Sequence, residues 1–363
     1  MKQLVTLIKA LFFLGTIVSG VSMFLVGLAG HTATVDHTYL TLAAISFPFL
    51  AYVAALFWLL SLLSLQWRLL LFQTLCFALS IPMLLHTFGF NFLPGLEPAK
   101  SIRILTYNVS GFNEQQGKPT EMLRYIRSKQ PDILCFQEFS ARPEQYGYTL
   151  QQICDSLPEY PYVDFQNHHT TRFHSGVGTA VFSKFPITDV EPIPYESRIN
   201  SSCLYRIAIH GKSLTLVNNH LESNGLSEMD LHFIRKLVKN AQFDYIPLVD
   251  EIVREKIATA AARRLEQAQR VAQKVLASGS DYVLICGDLN DTPLSPTVRL
   301  LREYFDDAFV KAGIGMGATH KMVRAGLRID YFLYSSKITP YRFETDKVGY
   351  SDHFPAFCSF SLD

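Results

Sequence analysis

The sequence predicts an α+β domain carried behind three transmembrane helices, and three observations predict it. Long stretches near the N-terminus lack charge, apolar strand-like runs further on end in polar residues, and the run Asp281 to Asp291, DYVLICGDLND, passes from apolar to acidic within a few residues. In that run no charged residue interrupts Tyr282 to Cys286, as a strand buried on both faces requires. Gly287 is expected to break the strand, leaving Asp288, Asn290 and Asp291 where strand gives way to loop.

The membrane segment comes first. No Asp, Glu, Lys or Arg occurs between Ala10 and Val35, between His37 and Trp67, or between Leu69 and Leu96. Each window can hold the roughly 20 apolar residues that cross a bilayer. The first run exceeds the apolar segment of a cleaved signal peptide, and two more follow it. Pro48 and Pro82 fall inside the second and third windows, where a membrane helix accommodates them as kinks. Lys2 and Lys9 precede the first span and Arg68 separates the second from the third, whereas His31 to Tyr39 carries no Lys or Arg. Basic residues stay in the cytoplasm, so the N-terminus is expected inside and everything after Pro94 outside. The chain divides on this reading into an anchor, residues 1–95, in the cytoplasmic (inner) membrane and a catalytic domain, residues 96–363, joined through the Pro94 to Pro98 linker.

Charge and cysteine content bound the function. Of the net charge of +1, the anchor carries +2 and the remainder −1. A domain this near neutrality lacks the electrostatic footprint of a nonspecific duplex-DNA binder. Six cysteines form no CxxC and no zinc-like spacing with histidine. Cys135, Cys286 and Cys358 lie in apolar runs as buried thiols do, and Cys154 and Cys203 are the pair an oxidising compartment could join.

Along residues 96–363 the elements follow in order. Ile102 to Tyr107 reads as a strand ending at Asn108. Thr120 is expected to cap a helix bearing Met122, Leu123 and Ile126, and Asp132 to Phe136 is a strand that delivers Gln137 and Glu138. Gly176 to Ser183 and Ser213 to Leu221 read as further strands. Met229, Phe233, Leu237 and Ala241 then share one helix face, and Ile257, Ala261, Leu265, Ala268, Val271 and Val275 another. This section, from Ser223 to Ala277, is either a lid or membrane-facing element or a plain packing pair. Beyond the acidic run come Arg328 to Phe332, then Ser351-Asp352-His353 beside the apolar run Ala356 to Phe360.

Taken singly, each of these polar groups has an ordinary explanation: Asp and Asn make turns, a lone histidine packs in a core, a lone glutamate is solvated. Together Glu138, Asp288, Asp330 and Asp352 place four carboxylates near strand ends, with Asn108, Asn290, His220 and His353. A hard cation such as Mg²⁺ takes carboxylate, water and phosphate oxygens, so this set suits metal-assisted phosphoryl hydrolysis better than zinc or iron chemistry.

In order along the chain, Tyr107-Asn108-Val109, Gln137-Glu138, Gly178 to Ser183, Asn218-Asn219-His220-Leu221, Gly287-Asp288-Leu289-Asn290, Arg328-Ile329-Asp330-Tyr331 and Ser351-Asp352-His353 resemble the successive motifs of the endonuclease/exonuclease/phosphatase superfamily. That group includes pancreatic-type deoxyribonucleases, abasic-site endonucleases, inositol polyphosphate 5-phosphatases and neutral sphingomyelinases. The chain resembles a membrane-anchored, bacterial-type member. The resemblance implies a four-layer sandwich, two packed β-sheets flanked by helices, with the site at one end of the sheets. It assigns the metal, Mg²⁺ or alternatively Mn²⁺, to Glu138 with Asn108 and Asp352. It assigns orientation or deprotonation of the attacking water to Asp288, transition-state stabilisation to Asn290, the His353 tautomer to Asp330, and contact with the scissile phosphate or leaving group to His220. Ser110 stands where abasic-site enzymes carry a second metal-binding acid, and His220 where they carry tyrosine. The leading expectation is a membrane-anchored, Mg²⁺-dependent phosphoesterase acting beside the lipid bilayer on a lipid head group, a small phosphoester or nucleic acid. An extracytoplasmic nuclease and a catalytically silent binding module are the alternatives.

Overall fold

The computed structural model describes residues 2–93, 95–112, 119–141, 148–167, 177–197, 200–321 and 326–363. Pro94 and Gly176 lie outside the described residues. Five helices come first: α1 (Lys2–Thr32), α2 (Thr38–Ala44), α3 (Phe47–Leu63), α4 (Trp67–Leu79) and α5 (Ile81–Thr87). Among the described residues only α1 is by itself long and apolar enough to cross a bilayer. α2 with α3, and α4 with α5, reach that length as pairs bent by 47° and 64°. Of the three expected spans, two with proline kinks, one is a single continuous helix, and the other two are met only where each bent pair is taken as one span. Pro48 and Pro82 stand in the first turn after each break, where the ring removes an N–H and disrupts the preceding turn. α1 meets its neighbours through small residues. A Cβ on Gly27 would lie 2.6 Å from the Phe47 ring, the close approach that glycine permits between membrane helices.

The remaining elements follow as β1 (Gly89–Phe90), β2 (Ile102–Asn108), α6 (Pro119–Lys129), β3 (Ile133–Ser140), α7 (Leu150–Ser156), β4 (Tyr162–Asn167), β5 (Val177–Ser183), β6 (Ile187–Ile193), β7 (Ser201–Ile209) and β8 (Lys212–His220). Next come α8 (Glu228–Asn240), α9 (Ile246–Ile252), a π-helical turn (Val253–Ile257), α10 (Ala258–Ala277), β9 (Tyr282–Asp288), α11 (Pro296–Arg302), β10 (Asp306–Asp307), α12 (Ala308–Ala312), β11 (Ile314–Gly315), β12 (Asp330–Tyr334), β13 (Ile338–Thr345) and β14 (Ala356–Leu362).

Two six-stranded sheets pack face to face, ordered β10-β12-β9-β8-β7-β6 and β13-β14-β2-β3-β5-β4. Each has one parallel pair at its centre, β8 with β9 and β2 with β3. A parallel pair requires a crossover, supplied by α8 to α10 in the first sheet and by α6 in the second. Side chains alternate as strands demand. Ile104, Cys135, Val181, Leu216, Cys286 and Phe332 fill the space between the sheets. Leu105, Leu134 and Phe136 face outward onto Met122, Leu123 and Ile126 of α6, and Val217, Ile285 and Tyr331 onto Ala268, Val271 and Val275 of α10. The result is the expected four layers, helix, sheet, sheet, helix.

Several local expectations are corrected. Helix α6 begins at Pro119, so Thr120 lies inside its first turn, and its hydroxyl meets Tyr148 Oη at 2.8 Å instead of capping. Gly287 does not end β9. It pairs with Asn219 within the sheet at φ 118°, and a Cβ there would lie 2.1 Å from Asn219 O. All six cysteines are free thiols, and burial pushes the Cys203 thiol up to about 12. Nor does the anchor hang from the linker alone. Arg299 donates to the carbonyls of Gly30 and Ala33 at the end of α1, and Arg302 and Arg328 both donate to His86 O. Leu294 packs with Phe47 and Met83, and β1 pairs with β11.

A buried polar clasp joins the sheets. Gln137 Nε2 donates to Asn218 Oδ1 at 2.7 Å, and Asn218 Nδ2 donates to the carbonyls of Phe136 and Ala180, each at 3.1 Å. Both side chains are fully buried. Asn218→Leu leaves Gln137 Nε2 only Thr106 Oγ1 and Cys135 O and takes the amide donor from the carbonyls of Phe136 and Ala180, at roughly 1–3 kcal/mol per orphaned group. Thermal melting of the detergent-solubilised chain should show a fall of about 5 °C or more, and an unchanged melting temperature would contradict the clasp.

Candidate active site

The two parallel pairs end side by side, and that edge gathers the site. β2 and β3 align Asn108 with Gln137, β8 and β9 align His220 with Asp288, and β12 enters antiparallel with Asp330 opposite Asp288. Glu138 reaches the same edge through an irregularity in strand pairing. The register of β3 against β5 shifts between Phe136 and Phe139, and Glu138 takes a left-handed φ of 49°, so the bulge re-aims its side chain. Such a conformation in a non-glycine residue is strained and clusters at functional sites.

Asp288 is the hub. Its Oδ2 accepts from Asn108 Nδ2 at 3.1 Å, across the gap between sheets, and lies 3.6 Å from His353 Nε2 and 3.9 Å from His220 Nε2. Its Oδ1 accepts the Asn290 backbone N–H at 2.8 Å. Asn108 Nδ2 also donates to Glu138 Oε1 at 3.1 Å, and that oxygen lies 3.7 Å from His220 Nε2. His353 Nδ1 pairs with Asp330 Oδ2 at 3.0 Å, while two backbone N–H groups, of Ile329 and Asp330, hold Thr319 Oγ1.

The structure therefore brings Asn108, Glu138, His220, Asp288, Asp330 and His353 into one cluster. Asp352 stands at its margin, joined through Ser351, whose hydroxyl lies within hydrogen-bond reach of both Asn108 O and Asp352 Oδ1. Asn290 is beside the cluster, but its side-chain amide donates to Leu221 O at 2.9 Å, so its link to Asp288 runs through the backbone. His320 was missed. An isolated antiparallel bridge pairs it with His353, its ring meets the His353 ring edge-on at 4.6 Å, and its Nε2 is 3.8 Å from Asp352 Oδ2. It sits in an irregular loop, where neither periodicity nor a strand end marks it.

Electrostatics separate the roles available. Burial lowers the His353 pKa, but the charges of Asp330 and Asp288 outweigh it and raise the value to about 10. Burial raises Asp288, with Asp330 adding to it against the pull of the two histidines. The hydrogen bond from His320 holds Asp352 well below the usual carboxylate range, against desolvation, with His353 assisting. His220 is buried, and among the described residues neither ring nitrogen has a hydrogen-bond partner, which leaves its polar atoms available to a substrate.

Two groups bring three possible ligand atoms within 4.8 Å, His320 with Asp352 and His353, and Asp288 with Asp330 and His353. Imidazole nitrogen suits softer metals than the hard cation expected here, so His353 is the weaker member of either. Glu138 and Asp352 are better suited to a hard divalent cation, being carboxylates whose side chains remain 36% and 59% exposed at the mouth of the cluster.

The two-sheet sandwich carries a carboxylate and imidazole cluster at the ends of its parallel strands, and it is this site, not the fold, that bears on function. The endonuclease/exonuclease/phosphatase family model matches residues 105–353, and the chain belongs to that family. Solved structures share its fold at low sequence identity. The endonuclease/exonuclease/phosphatase protein of Bacteroides vulgatus is 16% identical with a TM-score of 0.54, over 72% of this chain and 99% of that one. The human nocturnin catalytic domain with bound sulfate is 15% identical with a TM-score of 0.52, over 75% and 100%. D. rerio TDP2 with a single-stranded DNA product is 17% identical with a TM-score of 0.50, over 72% and 99%. No curated protein matches the sequence.

The His353 and Asp330 pair is open to direct measurement. In metal-free protein the His353 imidazole should stay protonated beyond pH 8 by NMR titration. Asp330→Asn removes a negative charge 3.0 Å away, so the midpoint should move down by at least one pH unit. A midpoint near 6.5 in both proteins would contradict the pairing.

Proposed function

We propose that the chain is a membrane-anchored, Mg²⁺-dependent phosphoesterase in which residues 1–95 hold a catalytic part, residues 96–363, outside the cytoplasm. The observation that carries this reading is the Asp288 hub. A buried carboxylate, its pKa raised by burial, has a fixed orientation and lies within 3.9 Å of two imidazoles, the arrangement needed to orient a water and take its proton. His353, protonated against Asp330, offers positive charge to a phosphoryl oxygen. His220 faces the leaving group with both ring nitrogens free of hydrogen bonds to the described residues. Asn290 acts through its backbone N–H, which holds Asp288 in place. Asn108, Glu138 and Asp352 would hold the Mg²⁺, which when bound would offset the charge that develops on the phosphoryl oxygens.

The net charge of −1 on residues 96–363 and the packed anchor favour lipid or small phosphoesters over long duplexes, where affinity comes from many phosphate contacts. The nuclease reading needs a local basic groove. With bis(4-nitrophenyl) phosphate as the first substrate, Glu138→Gln and Asp288→Asn should each lower kcat/KM by about a hundredfold or more with melting temperature preserved. Near-normal turnover in either would sink the assignment. Activity lost to a chelator should return with Mg²⁺ or Mn²⁺, and rescue by zinc alone would point to other chemistry.

Topology is tested separately. With Lys2, Lys9 and Arg68 inside, a reporter fused after Asp363 should be active only outside the cytoplasm. A reporter active only in the cytoplasm would refute the orientation, and the strongly bent α4 and α5 pair would be the first suspect.

A further inference from the structure

A cleft runs from the membrane-facing helices to the catalytic cluster. One wall is α2 with its Leu42, and Ile45 just beyond it; the facing wall is Ile257 and Ala261; Leu327 and Ile329 form the floor. Its inner end is lined by Asn290 and His320, and His320 touches both His353 and Asp352. The cavity itself measures about 70 Å³, and with its open mouth the space widens to about 750 Å³. Arg264, the one arginine or lysine among the described residues of the lining, is already engaged: its Nε meets Asp291 at 3.2 Å and its Nη1 donates to Glu222 O and Asn224 Oδ1. Most of the exposed lining surface is apolar, with Thr38, Thr41, Thr292 and Thr297 adding hydroxyls, and among the described residues the phosphate-handling groups stand at its inner end.

A second observation concerns α8, α9 and the turn between them. Met229, Val238, Phe243, Ile246 and Leu248 are all exposed there, Val238 by 77% and Phe243 by 69%. Exposed apolar groups gathered on one segment mark an interaction or membrane surface. This segment is tied to the anchor, because Tyr39 of α2 donates to Asp250 of α9. Exposed Tyr39 and Leu40 on α2 and Ile246 and Leu248 on α9 continue the apolar surface on both sides of that tie.

We propose that this cleft is the binding site for the aliphatic chain of a bilayer lipid phosphoester, whose phosphate then lies at Asp288 and His353. The α8 and α9 segment seats in the bilayer surface beside the mouth, so the chain passes from the membrane between α2 and the π-helical turn without crossing water. This rests on the phosphoesterase reading and deepens it by naming the substrate class. The bend between α2 and α3 acquires a purpose, since α2 breaks from α3 by 47° and so stands as a wall of the cleft.

The full-length protein in detergent, assayed with butyl, octyl and dodecyl 4-nitrophenyl phosphate, separates the possibilities. The wild type should gain at least about tenfold in kcat/KM from butyl to octyl, well within the roughly fourfold per methylene that complete burial gives. Ala261→Trp and, on the facing wall, Leu42→Trp should each cut the octyl-to-butyl ratio by at least about fivefold. A ratio that survives both substitutions reports partition into the micelle and overturns the cleft. Turnover of all three esters at equal kcat/KM does the same while leaving the phosphoesterase reading intact. Dodecyl phosphate bearing a terminal diazirine supplies a readout independent of turnover: labelling should map to residues 38–45 and 257–265, and labelling elsewhere alone refutes the site. Labelling of the cleft without turnover of any ester would sink the phosphoesterase reading and keep the chain-binding site.

Discussion

The hydrogen bond between Gln137 and Asn218 sets the register of one sheet against the other, and the site depends on that register. Both residues lie one or two positions before the catalytic edge, on neighbouring strands of different sheets. Just beyond them Asn108 of β2 must reach Asp288 of β9 at 3.1 Å. A slide of one sheet by a single residue, about 3.3 Å, would break this bond and separate Glu138 from His220. Apolar contacts between sheets are non-directional and tolerate such a slide; the polar clasp does not. Its partners are buried, where an unmade bond costs most.

Much of the catalytic edge was legible because its grammar is local. An apolar run followed by a polar residue marked β2, β3, β8 and β9, and the polar residues at their ends, Asn108, Glu138, His220 and Asp288, do converge. The rest depended on contacts that periodicity does not encode. Gly287 reads as a strand breaker by propensity, yet its role is steric, admitting the Asn219 backbone. Asn290 reads as a side-chain participant, but its positive φ of 52° turns the amide to Leu221 O and leaves the N–H on Asp288. His320 carried no signal, since its position comes from a long-range bridge to His353. Composition located the apolar windows, and only the proline positions hinted that two of them would be bent.

The anchor and the sandwich form a joined structure. Arg299 satisfies carbonyls at the end of α1, where a helix leaves acceptors without internal partners and favours a cation. Arg328, whose backbone lies two residues from Asp330, donates to His86 O of α5 and to Asp307 at 2.7 Å. The same loop that ends at a site carboxylate is therefore tied to the apolar helices. The α8 to α10 crossover, required to make β8 and β9 parallel, also carries the exposed apolar surface beside α2.

The central claim is that Asp288 directs a water straight at phosphorus, with no side chain forming a covalent bond to it. Such a reaction is a single in-line displacement. The most direct test is the stereochemical course of hydrolysis of a chiral phosphorothioate diester in isotopically labelled water. Inversion at phosphorus with one solvent oxygen incorporated is the result the account predicts; retention would reveal a phosphoryl-enzyme intermediate and contradict it.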